Sequence, residues 1–240
     1  MSFDKRIDGR GFLDLRPMDA RVGVIEKADG SAYFKMGDTV AYAAVYGPRE
    51  LVPRFKQNPK KGILRCNYNM LPFSGVGERI RPGGNRRSKE ISMVTEKALL
   101  PVVLLDHFPN SVVDVFIELP QTDAGSRCAG ITAAALALAD AGIPMKDLVS
   151  AVAVGKVDDK LVVDLRYEEE AFEGEVSDIP FAFIHNTGEV SLLQMDGIVD
   201  DENLIKLVDL ARNAALKVYE VQKEALLEKF KKAGDSNERK

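Results

Sequence analysis

One junction constrains the fold of this chain more than any other. An apolar β-type run over 112–119 passes through Gln121-Thr122-Asp123-Ala124-Gly125-Ser126-Arg127 into an alanine-rich helical pattern that meets no break before Ala141-Gly142. Gly125-Ser126-Arg127 is therefore expected at or just before a helix N-terminus. That position suits an anion: the first N–H groups of a helix have no intrahelical acceptor, the macrodipole adds partial positive charge, and a glycine lets the anion approach the backbone. Ser126 contributes a hydroxyl and Arg127 a planar fork that matches two phosphate oxygens. Gly-Ser before a helix is also an ordinary capped turn. Arg127 argues for the anion, because a solvated cation in the first turn opposes the dipole. No Gly-Lys-Ser/Thr follows, so a P-loop nucleoside triphosphatase is not indicated.

At 240 residues and 45% hydrophobic content the chain can bury a sizeable core. No apolar run is long enough to span a bilayer, and Met1-Ser2-Phe3-Asp4-Lys5-Arg6 leads into no signal-peptide core, so no membrane association and a cytoplasmic location are expected. Cys66 and Cys128 lie far apart with only two histidines in the chain, which leaves no conventional zinc set and reads as two buried thiols. The net charge of −4 argues against a general polyanion-coating protein. Any nucleic-acid contact must be local, as in the basic stretches Arg54 to Lys61 and Glu78 to Lys89.

Hydrophobic period gives the remaining elements. Segments 20–25, 32–36, 40–46 and 63–71 read as strands, the first two joined by an Asp29-Gly30 hairpin. A helix is expected from about Ser88, with Ile91, Val94, Ala98 and Leu99 on one face and Pro101 closing it. Ala134, Leu136 and Leu138 of the central helix suit tight packing against a sheet. Segments 149–157, 161–165, 179–185 and 190–195 repeat the strand pattern, with turns at Asp158-Asp159 and Thr187-Gly188. Asp200-Asp201-Glu202 opens a long amphipathic helix to about Lys232, followed by a charged tail. The expected class is α+β: two-layer sheets with helices, two pseudo-repeated halves and a long C-terminal helix, as one domain over 1–240 with its ordered core at about 5–230.

Three chemistry-bearing elements lie far apart: Arg86-Arg87 before one helix, Gly125-Ser126-Arg127 before another, and Asp164-Leu165-Arg166-Tyr167-Glu168-Glu169-Glu170 with Asp178 beyond it. Brought together, they would combine an anion cradle, cations for a second phosphate, and a carboxylate for acid/base or magnesium work. Singly, each has a plainer explanation. The arginine pair reads as a solvated turn, the glutamates as a solvated charge run, and Asp178 as a strand-start residue. Cys128, in a first helical turn, could have a lowered pKa, but neither His107 nor His185 lies in a matching motif. Thiol chemistry is not expected, and His185 reads as structural.

Arg6-Ile7-Asp8-Gly9-Arg10, Arg87-Ser88-Lys89-Glu90-Ile91, Gln121 to Arg127 and Asp178-Ile179-Pro180 resemble, in order and spacing, the motifs of the RNase PH-like exoribonucleases. The version here is similar to the catalytic RNase PH-like subunits of archaeal exosomes. The resemblance implies the RNase PH-like fold and a phosphorolytic 3′-to-5′ exoribonuclease: inorganic phosphate, as co-substrate, attacks the terminal phosphodiester of RNA and releases a nucleoside diphosphate, with RNA tailing as the reverse reaction. By matching position it implies that Gly125, Ser126, Arg127 and Arg87 hold phosphate and that Arg86 contacts the RNA 3′ end. Asp178 takes the acidic catalytic role, protonating the leaving oxygen or helping to place Mg2+. Tyr68 falls where the family stacks a base. Arg54, Lys56, Lys60 and Lys61 fall where it lines a narrow pore for single strands. The family has a second acidic residue a fixed distance before the catalytic aspartate. Here that segment is longer, and Glu170 or Glu175 stands for it. The implied partners are a single-stranded RNA 3′ end, a related inactive RNase PH-like subunit alternating in a hexameric ring, and cap proteins with S1 or KH domains. Two other readings stay open: a non-catalytic RNA-binding ring subunit, against the joint presence of Gly125-Ser126-Arg127, Arg87 and Asp178, and a bacterial-type RNase PH trimming transfer-RNA 3′ ends, against the run Asn85 to Glu90.

Overall fold

The structure, a computed structural model, describes residues 3–76, 81 and 83–237. Alternating apolar residues build the first sheet from β1 (Met18–Val22), β2 (Gly30–Met36), β3 (Thr39–Glu50), β4 (Ile63–Met70) and, after helix α1 (Arg86–Leu99), β5 (Ser111–Gln121). The spatial order is β1-β2-β3-β5-β4, antiparallel except for the parallel β4–β5 pair. A parallel pair cannot close through a tight turn, and α1 supplies the crossover. Asn85 and Ser88 cap it reciprocally, each side chain accepting from the other's backbone N–H.

The expected hairpin of β1 and β2 forms, but without a tight turn at Asp29-Gly30. Val22 pairs with Ala32, so residues 23–29 form a longer loop, while the two-residue turn Gly37-Asp38 joins β2 and β3. Asp29 is drawn out of the turn by β3: its N–H donates to the Val45 carbonyl and its carboxylate accepts from Gly47 N–H. Gly37, with φ of +57°, takes the left-handed turn position instead.

Helix α2 (Ser126–Asp140) is buried on every side from Cys128 to Leu138. One face packs on β2, β3 and β5, the other on the second sheet. A helix apolar all round is an interior helix, and each of the fully buried Ile131, Leu136 and Leu138 contributes about 1.5–3 kcal/mol of transfer free energy. Its small residues set the spacing: a Cβ on Gly130 would stand 3.3 Å from both Ile117 and the Tyr68 ring.

The second sheet contains β6 (Val149–Val157), β7 (Lys160–Val163), β8 (Val176–Ile184) and β9 (Glu189–Leu193) in the antiparallel order β7-β6-β8-β9, with the one-turn helix α3 (Tyr167–Glu170) between β7 and β8. Strand β6 is buried over residues 149–155, with an apolar run at 151–154, because both its faces are covered. Val149, Ala151 and Ala153 join the core around α2, while Val152 and Val154 face α4 (Asp201–Asn237) through Leu207, Ala211, Ala214 and Ala215. The layers therefore stack as sheet, α2, sheet, α4. Helix α4 runs past the expected end at 232 through Asn237; a single glycine, Gly234, costs a helix only about 1 kcal/mol. Residues 238–240 of the expected tail, and 77–80 and 82 of the basic stretch before α1, lie outside the described residues.

Candidate active site

The strand-to-helix junction is built as an open cradle. Ala124 (φ 54°) and Gly125 (φ 59°) are both left-handed, and α2 then starts from Gly125 with no side-chain cap. Its first N–H groups are thus left for an external anion. A left-handed alanine costs about 1–2 kcal/mol, so the loop must be held from outside. Thr39 Oγ1 lies 3.0 and 2.8 Å from the Asp123 and Ala124 carbonyls and accepts from Asp123 N–H at 2.9 Å.

The Asp123 carboxylate ties this loop to α3. It accepts from Tyr167 N–H and Arg166 Nε, each at 3.0 Å, and from Arg16 Nη1 at 3.3 Å. Arg16 in turn forks onto buried Asp164 (Nε–Oδ2 2.9 Å, Nη2–Oδ1 2.7 Å). Arg6, 1% exposed, forks onto Glu169 (2.7 and 2.6 Å) and donates to the Val163 and Asp164 carbonyls at 2.8 and 2.7 Å. These arginines, contributed by the N-terminal segment, fix α3 so that Glu169 points inward and Glu170 lines the cleft.

That cleft, about 340 Å3, is lined by Arg87, Gly125, Ser126, Arg127, Glu170, Asp178 and Asp196 among others. An adjoining cavity of about 240 Å3 shares Arg87, Ser126 and Glu170 and adds Tyr68, Asn85, Thr122 and Tyr167. Burial raises the Glu170 carboxyl to about 7, with the like charge of Asp178 adding to it and Arg87 and Arg127 opposing. Burial likewise raises Asp178 to about 6, Arg127 opposing and Asp196 adding. Asp178 Oδ1 is buried and has no hydrogen-bond partner. Two proton-holding groups near neutrality thus face a cationic cradle.

The three sequence elements therefore meet, with differences in detail. Gly125, Ser126, Arg127, Arg87, Glu170 and Asp178 line one cleft, whereas Arg86 is exposed and lines neither cavity. The glutamates are not a uniform solvated run: Glu168 is exposed, Glu169 is locked to Arg6, and Glu170 belongs to the site. Glu175 is exposed and pairs with Lys156, which leaves Glu170 as the second carboxyl in the cleft. Asp164 is the partner of Arg16 rather than a free acid.

Tyr68, the expected base-stacking residue, lines the adjoining cavity from a buried position. Its position on β4 turns the ring inward against Gly130, leaving it 3% exposed, and burial pushes its phenol up to about 12. Both Tyr68 and Tyr167 line the adjoining cavity, and Tyr167 is the more exposed aromatic, at 46%. Arg54, Lys56, Lys60 and Lys61 are exposed on the β3–β4 connection, around a 3-10 turn, Arg54–Lys56. This connection hydrogen-bonds to the backbone of Leu105 and Asn110 in the segment that leads into β5. The anion loop follows the end of that strand, so the two are separated by its eleven residues, roughly 35 Å of extended chain.

Cys128 is buried, and desolvation pushes its thiol up rather than down, so proximity to the helix N-terminus does not activate it. His185 contacts Ser150 and the Tyr219 ring, in a structural cluster. The sequence reading gave no role to Arg6, Arg16, Asp123, Gln194 or Asp196. Each acquires its role only through partners distant in the chain.

The comparisons with known proteins agree with this geometry. Residues 14–144 match the model of the 3′ exoribonuclease family, domain 1, and residues 147–214 match domain 2. The exosome complex component Rrp41 of Thermococcus kodakarensis is 54% identical over 228 residues, which cover 95% of this chain and 90% of that protein. That of Archaeoglobus fulgidus is 48% identical over 233 residues, covering 96% and 89%. Among solved structures, the Archaeoglobus fulgidus exosome with RNA bound to the active site superposes with a TM-score of 0.78 at 27% identity, over 90% of this chain and 92% of that one. Rice Rrp46 shares the fold, with a TM-score of 0.82 at 24% identity over 92% and 100% of the two chains. With both of its domains matched and its strand–loop–helix cradle in place, this chain belongs to the RNase PH family of 3′ exoribonucleases.

Proposed function

We infer that this chain is the catalytic RNase PH-like subunit of an archaeal exosome, degrading RNA from its 3′ end by phosphorolysis. The observation that carries this reading is a single cleft in which the uncapped α2 N-terminus and two arginines face two carboxyls held near neutral pH.

Phosphorolysis brings an inorganic phosphate dianion against a phosphodiester, so charge neutralisation and positioning supply most of the barrier reduction. The α2 N–H groups, the Ser126 hydroxyl and Arg127 hold the attacking phosphate, and Arg87, lining both cavities, spans it and the scissile phosphate. A phosphate oxygen forms the new P–O bond as the bond to the 3′ oxygen breaks. That oxygen needs a proton, which Asp178 donates and recovers from the phosphate; its raised pKa keeps part of it protonated at neutral pH. Glu170 is the reserve acid beside it.

In the alternative role for Asp178, its ionised carboxylate and Asp196 beside it would fit Mg2+, an ion that takes one or two carboxylates and completes its shell with substrate phosphate and water, and Glu170 would then be the acid. When bound there, the ion would neutralise phosphate charge. The reading includes a ring shared with a related inactive subunit, cap proteins with S1 or KH domains, and a cytoplasmic location. Among the described residues no helix is long and apolar enough to cross a membrane. Arg54, Lys56, Lys60 and Lys61, exposed and clear of the cleft, take the pore-lining place, and Arg86 the RNA strand.

The test is to incubate the chain, alone and with its ring partner, with single-stranded RNA and Mg2+, with and without phosphate. Nucleoside diphosphates appearing only with phosphate are expected. Monophosphates formed without it, or no product even with the partner present, would overturn the reading.

A further inference from the structure

Arg127 is aimed by a side chain 67 positions further along the sequence. Its Nη1 donates to Gln194 Oε1 at 2.5 Å, and Gln194 Nε2 donates to Glu90 Oε1 at 3.1 Å. The amide orientation follows from chemistry: a guanidinium can only donate and an ionised carboxylate can only accept. Gln194 is itself fixed. Its N–H donates to the Pro180 carbonyl at 3.2 Å, and two residues on, Asp196 and Asp178 exchange backbone hydrogen bonds at 2.8 and 2.9 Å. One amide thus joins α2 through Arg127, α1 through Glu90, and the backbone beside Asp178.

We propose that Gln194 is a positioning residue for phosphorolysis, holding Arg127 in register with the attacking phosphate while leaving its charge unspent. Among the described residues Arg127 has no carboxylate within salt-bridge distance. Gln194 occupies one of its five N–H donors and leaves four for phosphate oxygens. A glutamate at this place would give the same reach and a stronger bond, but it would neutralise the guanidinium and compete with the anion. A neutral amide is therefore the side chain that orients without competing. Glu90, one step further out, holds the amide and links it to the helix that carries Arg87, so both cations keep a fixed spacing.

The inference rests on the phosphorolytic reading, and its test separates the two. The full chain, assembled with its ring partner, is assayed for KM toward inorganic phosphate and toward RNA as Gln194→Glu, Gln194→Met, and each combined with Arg127→Ala. Gln194→Glu is expected to raise the phosphate KM by about tenfold or more and Gln194→Met by a smaller factor. KM for RNA should stay within about twofold, because Gln194 makes no contact at Tyr68 or Tyr167, where the adjoining cavity opens. In the Arg127→Ala background both substitutions should lose their effect on the phosphate KM. Phosphate KM unchanged in both variants, equal changes in both KM values, or an undiminished effect without Arg127 would overturn the proposal. Monophosphate release by the unsubstituted chain would instead overturn the phosphorolytic reading, and this proposal with it. Should Gln194→Glu fail to assemble, Gln194→Met, an uncharged near-isostere, carries the same comparison.

Discussion

Glu169 and Glu170 are neighbours on one helical turn, and they face two regions built on opposite rules. Glu169 belongs to a shell in which each buried carboxylate meets an arginine: Arg6 with Glu169, Arg16 with Asp164, and Arg16 and Arg166 with Asp123. Glu170 belongs to a cleft where Asp178 keeps an unpartnered oxygen and both carboxyls are raised by burial. In the shell, paired charges fix geometry. In the cleft, unpaired carboxyls hold protons at a free-energy cost, and the cations remain open to substrate. Acids therefore divide by their partners and not by their depth.

The largest effect should come from the cleft. Asp178→Asn keeps the shape but removes the proton, and turnover should fall by about 10²–10⁴-fold in a phosphate-dependent assay. The same change should stabilise the fold at pH 8 by roughly 3 kcal/mol in urea unfolding, since it removes a carboxyl that ionises only at about 6 rather than 3.8. A gain in stability with loss of activity would mark the cleft; a loss of both would put Asp178 in the shell.

Arg6→Met should do the reverse, costing about 3–5 kcal/mol by leaving Glu169 buried and uncompensated. Adding Glu169→Gln to Arg6→Met should return part of that loss, which a thermal melt of the double variant would detect. No recovery would mean that the pair is not what holds α3.

The two regions should also differ with pH. A carboxyl whose folded pKa is raised favours the protonated fold, so its destabilising effect is absent below the ordinary value and grows as pH rises through the folded value. For Asp178 and Glu170 that window runs from the ordinary 3.8 and 4.5 to about 6 and 7. Turnover should decline on the alkaline side as Asp178 loses its proton. Asp196→Asn, which removes a charge raising the Asp178 pKa, should move that decline to lower pH. An unmoved limb would assign the proton to another group.

The smallest expected effect is at Tyr68→Phe. Its hydroxyl is buried, with at most a weak interaction with Ser126, so deletion should leave stability unchanged or slightly raised and RNA affinity nearly unchanged. A large loss of RNA affinity would restore Tyr68 as a direct contact.

Much of this was legible along the chain. The alanine-rich pattern after Arg127 marked a helix packed tightly on a sheet, Gly125-Ser126-Arg127 marked its start, and the one-sided apolar face of α4 marked a long amphipathic helix. What misled was local chemistry taken alone. Asp29-Gly30 is a strong turn signal, but β3 recruits Asp29; the glutamates read as one solvated run, but Glu169 is locked to Arg6 and Glu170 lines the cleft.

The sequence by itself determined the elements, because helix and strand periods, glycine turns and caps depend on residues a few positions apart. It also set the anion-ready start of α2. Only the tertiary structure decided which acids hold a scaffold and which hold a proton. A carboxyl's pKa depends on who desolvates and who neutralises it: Arg6 reaches Glu169 across 163 positions and Gln194 reaches Arg127 across 67. No spacing rule spans such separations, whereas the stacking of two sheets on α2 fixes them to within a hydrogen bond.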